Sequence, residues 1–346
     1  MKTYFGKYEN RYKVNLHCHT RNSDGRATPE AVKEEYKKRG YSAVAFTDHQ
    51  HLINMKHLSD EDFIAITGCE MSVMGPKVDL DSPTPSAKQM HMCFYAKDPD
   101  CDITPFYNEK KDWYKFDDLR HLVKSNGNYN AVFSHEGINE MIRLGHEMGF
   151  LVSMNHPAWS LINATDYLGY EGFDFVEVHN TGAVVSGHNE TDTAYGDMMK
   201  AGKSVMPIAT DDNHNIFGFE GRRSDSFGGW VMLDAPELSY EKVMTALENG
   251  DFYASTGPEI HSIVLDDSGV LRVKCSPVAC AYMITQSRRH GCAYADIGET
   301  IDSAAFKFRV ADVKFRIKIV DEYGKCAYSK IYDIPADTPR VDAEAK

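Results

Sequence analysis

Short apolar runs alternate with amphipathic segments in the first part of the chain. The run Val14–Leu16 predicts a strand, and Thr28-Pro29-Glu30 predicts a helix start with proline in the first turn. The helical pattern of residues 31–39 ends at Gly40, and Tyr41–Phe46 predicts the next strand. A repeated order of strand, helix and strand is typical of a parallel sheet, and in a chain of 346 residues it favours a barrel.

The same alternation returns in the middle of the chain. Residues 138–149 predict an amphipathic helix, and the runs at 150–154, 173–180 and 204–210 predict further strands. Segment 181–196 is rich in Gly, Asn and Asp, which predicts a loop.

Residues 97–130 break this pattern with turn-forming and aromatic residues, among them Trp113, Tyr114 and Phe116. The stretch is either an insertion that caps a site and reads the substrate or a surface excursion, and the sequence leaves both open. We expect the substrate determinants in this insertion and in segment 181–196.

From about residue 259 the pattern becomes all-β. Val313–Ile319 alternates strictly, and Asp266–Gly269 and Glu322–Gly324 are turn signals between strand candidates. We therefore predict a barrel domain over residues 1–257 and a small all-β sandwich domain over 258–346, with a flexible tail after Pro335. The second domain is expected to cover a barrel face, to dimerise or to supply walls beside the substrate.

The composition narrows the range of partners. The chain is 42% hydrophobic, which suffices for a buried core, and its 38 Lys and Arg against 51 Asp and Glu give a net charge of −13. Such a chain should repel a polyanion, so we expect a small anionic substrate and no stable nucleic-acid complex. The first residues contain no apolar run of signal-peptide length and no run approaches a membrane span, which predicts a cytoplasmic protein without membrane contact. A homo-oligomer remains open.

Potential metal ligands follow the predicted strands. His17-Cys18-His19 places two imidazoles on one face of an extended segment, because side chains alternate along a strand. Two neutral imidazoles on one face can chelate a first-row divalent metal. Asp24 follows in the polar segment directly after this motif. Further candidates follow, or lie in, later apolar runs, where a barrel presents catalytic groups: His49, Glu70, His91, His156, His214 and either Asp211 or Asp212, of which the Asp-x-His spacing favours Asp212.

This ordered set of motifs resembles the polymerase-and-histidinol-phosphatase (PHP) family of metal-dependent phosphoesterases over roughly residues 14–257. The resemblance implies a distorted (β/α)7 TIM-like barrel and a site of two or three divalent ions, with zinc, manganese and iron all suited to mixed His and carboxylate ligands. It also implies three ligand sets with Glu70 as the bridge: His17, His19, Glu70 and Asp212; Glu70, His91 and His156; and Asp24, His49 and His214. Many family members have His where Asp24 stands here, so the third set departs from the usual pattern.

The chemistry that the resemblance implies is hydrolysis of a phosphate ester by a metal-bound hydroxide. Arg222 and Arg223 are candidates to clamp the phosphate, with solvated salt bridges as the alternative. His179 is a candidate for substrate contact, and Glu177 for orienting a ligand histidine by accepting its second ring proton.

Three functions follow from these expectations. The first is a phosphoric ester hydrolase acting on a small phosphorylated metabolite or nucleotide. The second keeps the metal site but hydrolyses a carboxyl or carbamate ester, as some members of the branch with a comparable carboxyl-terminal extension do. The third is a non-catalytic metal-binding module.

Overall fold

The structure is a computed structural model that describes residues 1–78, 80–111 and 117–342. Its α-helices are α1 (Pro29–Lys38), α2 (His135–Glu147), α3 (Ala164–Tyr167), α4 (Thr181–Val185), α5 (Thr193–Lys200) and α6 (Tyr240–Asn249). Its strands are β1 (Lys2–Phe5), β2 (Arg11–Asn15), β3 (Tyr41–Phe46), β4 (Ile64–Lys77), β5 (Ala87–Ala96), β6 (Ile103–Thr104), β7 (Lys124–Ser125), β8 (Phe150–Met154), β9 (Phe175–Asn180), β10 (Met206–Thr210), β11 (Trp230–Asp234), β12 (Phe252–Ser255), β13 (Ile260–Leu265), β14 (Val270–Val278), β15 (Cys280–Thr285), β16 (Gly291–Tyr294), β17 (Ile301–Lys307), β18 (Lys314–Val320), β19 (Cys326–Ser329) and β20 (Tyr332–Asp333).

Helix starts follow the capping residues of the sequence. In α1 the Thr28 hydroxyl accepts a hydrogen bond from Ala31 N at 3.2 Å, and Pro29 occupies the first turn as predicted. In α2 the Ser134 hydroxyl accepts from Gly137 N, so this helix begins at His135 rather than at the predicted residue 138.

A large mixed sheet forms the centre of the α/β fold. Strands β2, β3, β4, β5, β8, β9 and β10 are neighbours in chain order within it. The pairs β2–β3, β3–β4, β8–β9 and β9–β10 are parallel, as the strand and helix alternation predicts. Strand β5 is antiparallel to both neighbours, and the described residues between β4 and β5 contain no helix, so the predicted alternation is wrong at this step.

The segments that follow β2 and β10 are joined by their backbones. Cys18 and Asn213 form a parallel bridge, in which His19 N donates to Asn213 O at 3.0 Å. Asp212 N donates to His17 O at 2.9 Å. These bonds place the His-x-His motif beside the Asp-x-His motif, although almost 200 residues separate them in the sequence.

The part of the chain after residue 259 is β-rich, as predicted, and the described residues there contain strands and turns only. Strands β13, β14 and β17 form a four-stranded sheet with β1, while β15, β16 and β18–β20 extend the large sheet beyond β12. Side chains of both sheets, such as Ile263 and Ile317, share one buried hydrophobic cluster that also contains Phe5. The first strand therefore packs with the carboxyl-terminal region.

The structure bears on two local predictions, the loop at residues 181–196 and the insertion at residues 97–130. The loop predicted for residues 181–196 is wrong, because α4 and the first half of α5 lie there. In the insertion, Asn54 Nδ2 donates to the carbonyls of Pro99 and Cys101, and none of the described residues of the insertion lines the pocket described below. Trp113, Tyr114 and Phe116 lie outside the described residues, as do the last four residues of the predicted tail.

No helix in the described ranges is long and apolar enough to cross a membrane.

Candidate metal centre

All nine predicted ligands meet at one end of the large sheet. They form the nine-residue cluster: His17, His19, Asp24, His49, Glu70, His91, His156, Asp212 and His214. His19 Nε2 lies 2.9 Å from Asp212 Oδ1 and 3.1 Å from His17 Nε2. The predicted choice of Asp212 over Asp211 agrees with this geometry.

Glu70 lies at the centre of the cluster. Its carboxylate is fully buried, and Oε1 lies 3.1 Å from His91 Nδ1 and 3.3 Å from both His17 Nε2 and His156 Nε2. Its other oxygen, Oε2, lies 3.0 Å from His49 Nδ1. One carboxylate with ring nitrogens around both oxygens is suited to the bridging position that the sequence predicts for Glu70.

The ligand atoms fall into four groups, within each of which they lie within 4.8 Å of one another: His19, Asp24, His49 and His214; His17, Glu70 and His156; His17, His19 and Asp212; and His49, Glu70 and His91. The members are those of the three predicted sets, but the grouping differs. His19 joins the set around Asp24, and His91 and His156 lie in separate groups. The assignment of each ligand to an ion therefore remains a prediction.

Charges within the cluster shift its pKa values in opposite directions. Burial alone would raise the pKa of Glu70, but the nearby imidazoles, His91 and His17 foremost, hold it well below its usual value. Burial alone would lower the pKa of His19, but its contacts with Asp212 and Glu70 raise it well above the usual value. The carboxylates therefore stay ionised, as ligation of a cation requires, whereas the raised pKa of His19 means that a metal ion must displace a proton from its ring.

The donor set fits divalent metal ions. His19 Nδ1 is buried and forms no hydrogen bond with any residue that the structure describes. A buried polar atom without a partner is costly, and coordination of a cation would satisfy it. Imidazole and carboxylate donors together suit zinc, manganese or iron, so the fit does not select one metal.

Glu177 supports two members of the cluster. Its Oε1 lies 2.8 Å from His17 Nδ1 and accepts from the Thr210 hydroxyl at 2.6 Å. Its Oε2 accepts from His156 N at 2.7 Å, where the backbone of His156 has a positive φ of 25°. The contact with His17 is the one that the orienting role predicted for Glu177 requires, and the role itself stays a prediction. The bond to the His156 backbone was not predicted, and it holds a strained residue in place.

Other supporting residues were missed by the sequence analysis. Asn155 Nδ2 donates to Glu70 Oε1 at 2.7 Å, and the Ser160 hydroxyl lies 3.0 Å from His156 Nδ1. Gln89 Oε1 lies 2.9 Å from His91 Nε2. The position of Gln89, two residues before His91 on the same strand, was a usable signal, because residues i and i+2 share a strand face.

A pocket of about 460 Å³ opens onto the cluster. Arg223 lines it, whereas Arg222 is absent from its described lining, and neither forms an ion pair with the described part of the chain. Of the two predicted phosphate-clamping arginines, the structure therefore brings one to the site.

His179 also lies away from the pocket lining. Its Nε2 is 3.2 Å from the Thr181 hydroxyl, and its ring packs closely on Gly229. Between β9 and β10 the register shifts by one residue from Glu177 to His179. This bulge breaks the alternation that would have kept the two side chains on one face.

One protein-family model matches part of this chain. Residues 15–173 match the family model described as the PHP domain, and the sequence matches no curated protein. The matched segment contains seven members of the nine-residue cluster, from His17 to His156, whereas Asp212 and His214 lie beyond it.

Three bacterial proteins are among the solved structures that match this chain. A two-domain protein from Bacteroides vulgatus, containing a predicted PHP-like metal-dependent phosphoesterase, is 14% identical and covers 96% of this chain and 98% of its own, with a TM-score of 0.43. A proposed metal-dependent phosphoesterase from Bifidobacterium adolescentis is 18% identical and covers 60% of this chain and 90% of its own, with a TM-score of 0.35. An amidohydrolase from Chromobacterium violaceum, with bound sulfate and no metal, is 15% identical and covers 69% of this chain and 96% of its own, with a TM-score of 0.39.

Proposed function

Residues 15–173 of this chain belong to the PHP domain family, and from that premise we propose that the protein is a metal-dependent hydrolase of small phosphate esters, either phosphorylated metabolites or nucleotides. The observation that carries the proposal is Glu70, buried at the centre of eight further ligand residues beside an open pocket. The nine-residue cluster would hold two or three divalent ions. Bound there, such ions would supply a hydroxide nucleophile at neutral pH and polarise the phosphoryl oxygens.

The protein's own residues have distinct tasks in this proposal. Arg223 would bind the anionic oxygens of the ester, since its guanidinium lines the pocket without an ion pair in the described chain. Glu177 and Asn155 would keep the ligand side chains oriented through the hydrogen bonds that they already form. In the overall reaction the oxygen of water forms the new bond to phosphorus, and the alcohol oxygen leaves and takes up a proton.

The proposal includes the architecture expected for such an enzyme. The distorted (β/α)7 barrel is supported by the seven adjacent strands in chain order and by the backbone bonds between the segments after β2 and β10. A carboxyl-terminal β-sandwich domain from residue 258 is supported by the hydrophobic cluster that two sheets share there.

The test combines metal analysis with hydrolysis. Elemental analysis of the purified protein should find two or three divalent ions per chain. Release of p-nitrophenol from p-nitrophenyl phosphate or bis-p-nitrophenyl phosphate should stop after chelation and return with metal. The His19→Ala variant should lose both metal and activity.

Two results would contradict the phosphoesterase. Bound metal without phosphate-ester hydrolysis, together with hydrolysis of a carboxyl or carbamate ester, would favour the second function that the sequence allows. A protein that binds no metal and hydrolyses neither class of ester would exclude metal-dependent hydrolysis.

A further inference from the structure

Part of the pocket is lined by exposed apolar side chains. Trp159, Val185, Ile216 and Phe217 line it together with members of the nine-residue cluster. Ile216 and Phe217 are 55% and 51% exposed, and Trp159 is 36% exposed. An apolar group bound among these side chains would remove apolar surface from water, which is favourable.

The backbone of Trp159 is held beside the cluster by hydrogen bonds. The buried carboxylate of Glu190 accepts hydrogen bonds from Trp159 N at 2.8 Å and from Ala158 N at 3.3 Å. The indole lies 5.0 Å from the ring of His156 and 5.4 Å from the ring of His91, measured between centroids. One part of the indole therefore covers two predicted ligands, and the rest faces the pocket. Such a preformed wall loses little freedom when a ligand binds.

The positively charged guanidinium of Arg223 packs against the aromatic ring of Phe217. The Arg223 guanidinium carbon lies 3.4 Å from the centroid of Phe217, a cation–π contact that orders both side chains. One pocket is thus lined by aromatic rings, by a positively charged guanidinium and by metal-ligating groups.

From this arrangement we infer that the pocket takes phosphate esters whose alcohol part carries an aromatic ring, with the ring against Trp159 and Phe217 and the phosphate at the cluster. The inference rests on the proposed function and narrows its substrate class. A pocket of about 460 Å³ has the size of sites that hold small organic ligands. A sugar phosphate bearing only hydroxyl groups would leave the apolar wall without a partner.

The test is a binding comparison that does not depend on turnover. Isothermal titration calorimetry of the metal-loaded protein is done with phenylphosphonate and with methylphosphonate, which differ by the ring. We expect phenylphosphonate to bind at least about 5-fold more tightly, since an aromatic contact and its buried area together give a preference of this order. The ratio should fall to about 2 or less in Trp159→Ala and in Phe217→Ala.

Val310→Ala is the matched control, because Val310 is an exposed apolar residue outside the described pocket lining, and this variant should keep the wild-type ratio. Equal affinity of the two phosphonates, or a ratio unchanged in both wall variants, would overturn the inference. Phe217 is on the surface, so its variant decides the matter if Trp159→Ala fails to fold. A dimer that dissociates in Phe217→Ala, without any ring preference, would show that the apolar wall is an interface between two copies, and would also overturn it.

A hydrolysis comparison separates this inference from the proposed function. Benzyl phosphate and propyl phosphate both release a primary alcohol, so the ring is the main difference between them. Higher kcat/KM for benzyl phosphate supports the inference, and equal values for both would overturn it while leaving the phosphoesterase intact. Hydrolysis of neither ester would overturn the phosphoesterase itself, whatever the phosphonate affinities.

Discussion

Asp211 and Asp212 are adjacent in the chain, but their carboxylates contact different parts of the molecule. Asp212 Oδ1 lies 2.9 Å from His19 Nε2 in the nine-residue cluster. Asp211 is buried and accepts hydrogen bonds from the Tyr36 and Thr181 hydroxyls and from the backbone amides of residues 227–229. Residues 227–229 can come this close to Asp211 because two of them are glycines, Gly228 and Gly229. A Cβ on Gly229 would lie only 2.6 Å from Thr210 O.

This difference predicts that asparagine at position 212 reduces metal affinity, whereas asparagine at position 211 reduces stability. Asp212→Asn should weaken metal binding by at least about 100-fold, because losing a ligand should reduce metal affinity more than losing a residue that only orients a ligand. The free energy of unfolding should change little. Asp211→Asn should lower the free energy of unfolding by about 2–4 kcal/mol, because an amide group would face backbone donors. Zinc affinity from competition with a chromophoric chelator and urea unfolding measure the two effects. A loss of metal affinity in Asp211→Asn alone would show that the ligand assignment is reversed.

Glu177→Gln tests whether Glu177 orients the candidate ligands His17 and His156. The side chain of Glu177 accepts from His156 N and contacts His17 Nδ1, so an amide nitrogen in either position would face a donor. We expect metal affinity to fall by about 10–100-fold, the usual cost of losing such an orienting group. The exposed Glu171→Gln serves as control and should bind metal like the wild type. Unchanged affinity in Glu177→Gln would mean that the ligand rings are held by their own packing.

Arg223 and its neighbour Arg222 allow a matched comparison of two alanine substitutions by their effects on KM. Arg223→Ala should raise the KM for a phosphate ester by about 10–100-fold, which corresponds to one hydrogen-bonded charge contact. Arg223→Lys should recover only part of this loss, since an ammonium lacks the fork geometry of guanidinium. Arg222→Ala should change KM little, because Arg222 is not among the described residues of the pocket lining. Equal effects of the two alanine variants would contradict this division.

The pair His146 and Asp174 predicts a pH dependence of stability. His146 Nε2 lies 2.9 Å from Asp174 Oδ2, and this contact raises the pKa of His146 above its usual value of 6.5. The folded state therefore holds the proton more tightly than the unfolded state. The stabilisation is fully present below about pH 6.5 and is lost as the pH rises through the folded pKa.

His146→Gln should accordingly lower the free energy of unfolding at pH 5.5 and have little effect at pH 9. The pair is partly exposed, so the loss at pH 5.5 should be about 1 kcal/mol or less. Urea unfolding at both pH values measures it, with the exposed His57→Gln as control. A loss of equal size at the two pH values would mean that packing of the ring, rather than its charge, stabilises the fold.

Local patterns in the sequence identified the strand ends and the candidate ligand residues. The alternation around His17 and His19, the cap at Thr28 and the turn at Asp266–Gly269 depend on a few neighbouring residues, and the structure has each of them as predicted. Such features are readable because side-chain direction and capping are set by the local backbone.

Only the tertiary structure decided which of these residues meet. The bulge after Glu177 turns His179 away, and the pairing of the segments after β2 and β10 brings Asp212 to His19. Strand register and strand direction fix such contacts, and both depend on pairing between segments far apart in the chain. The same reason applies to the contact of the Trp159 backbone with Glu190, a residue 31 places further along the chain.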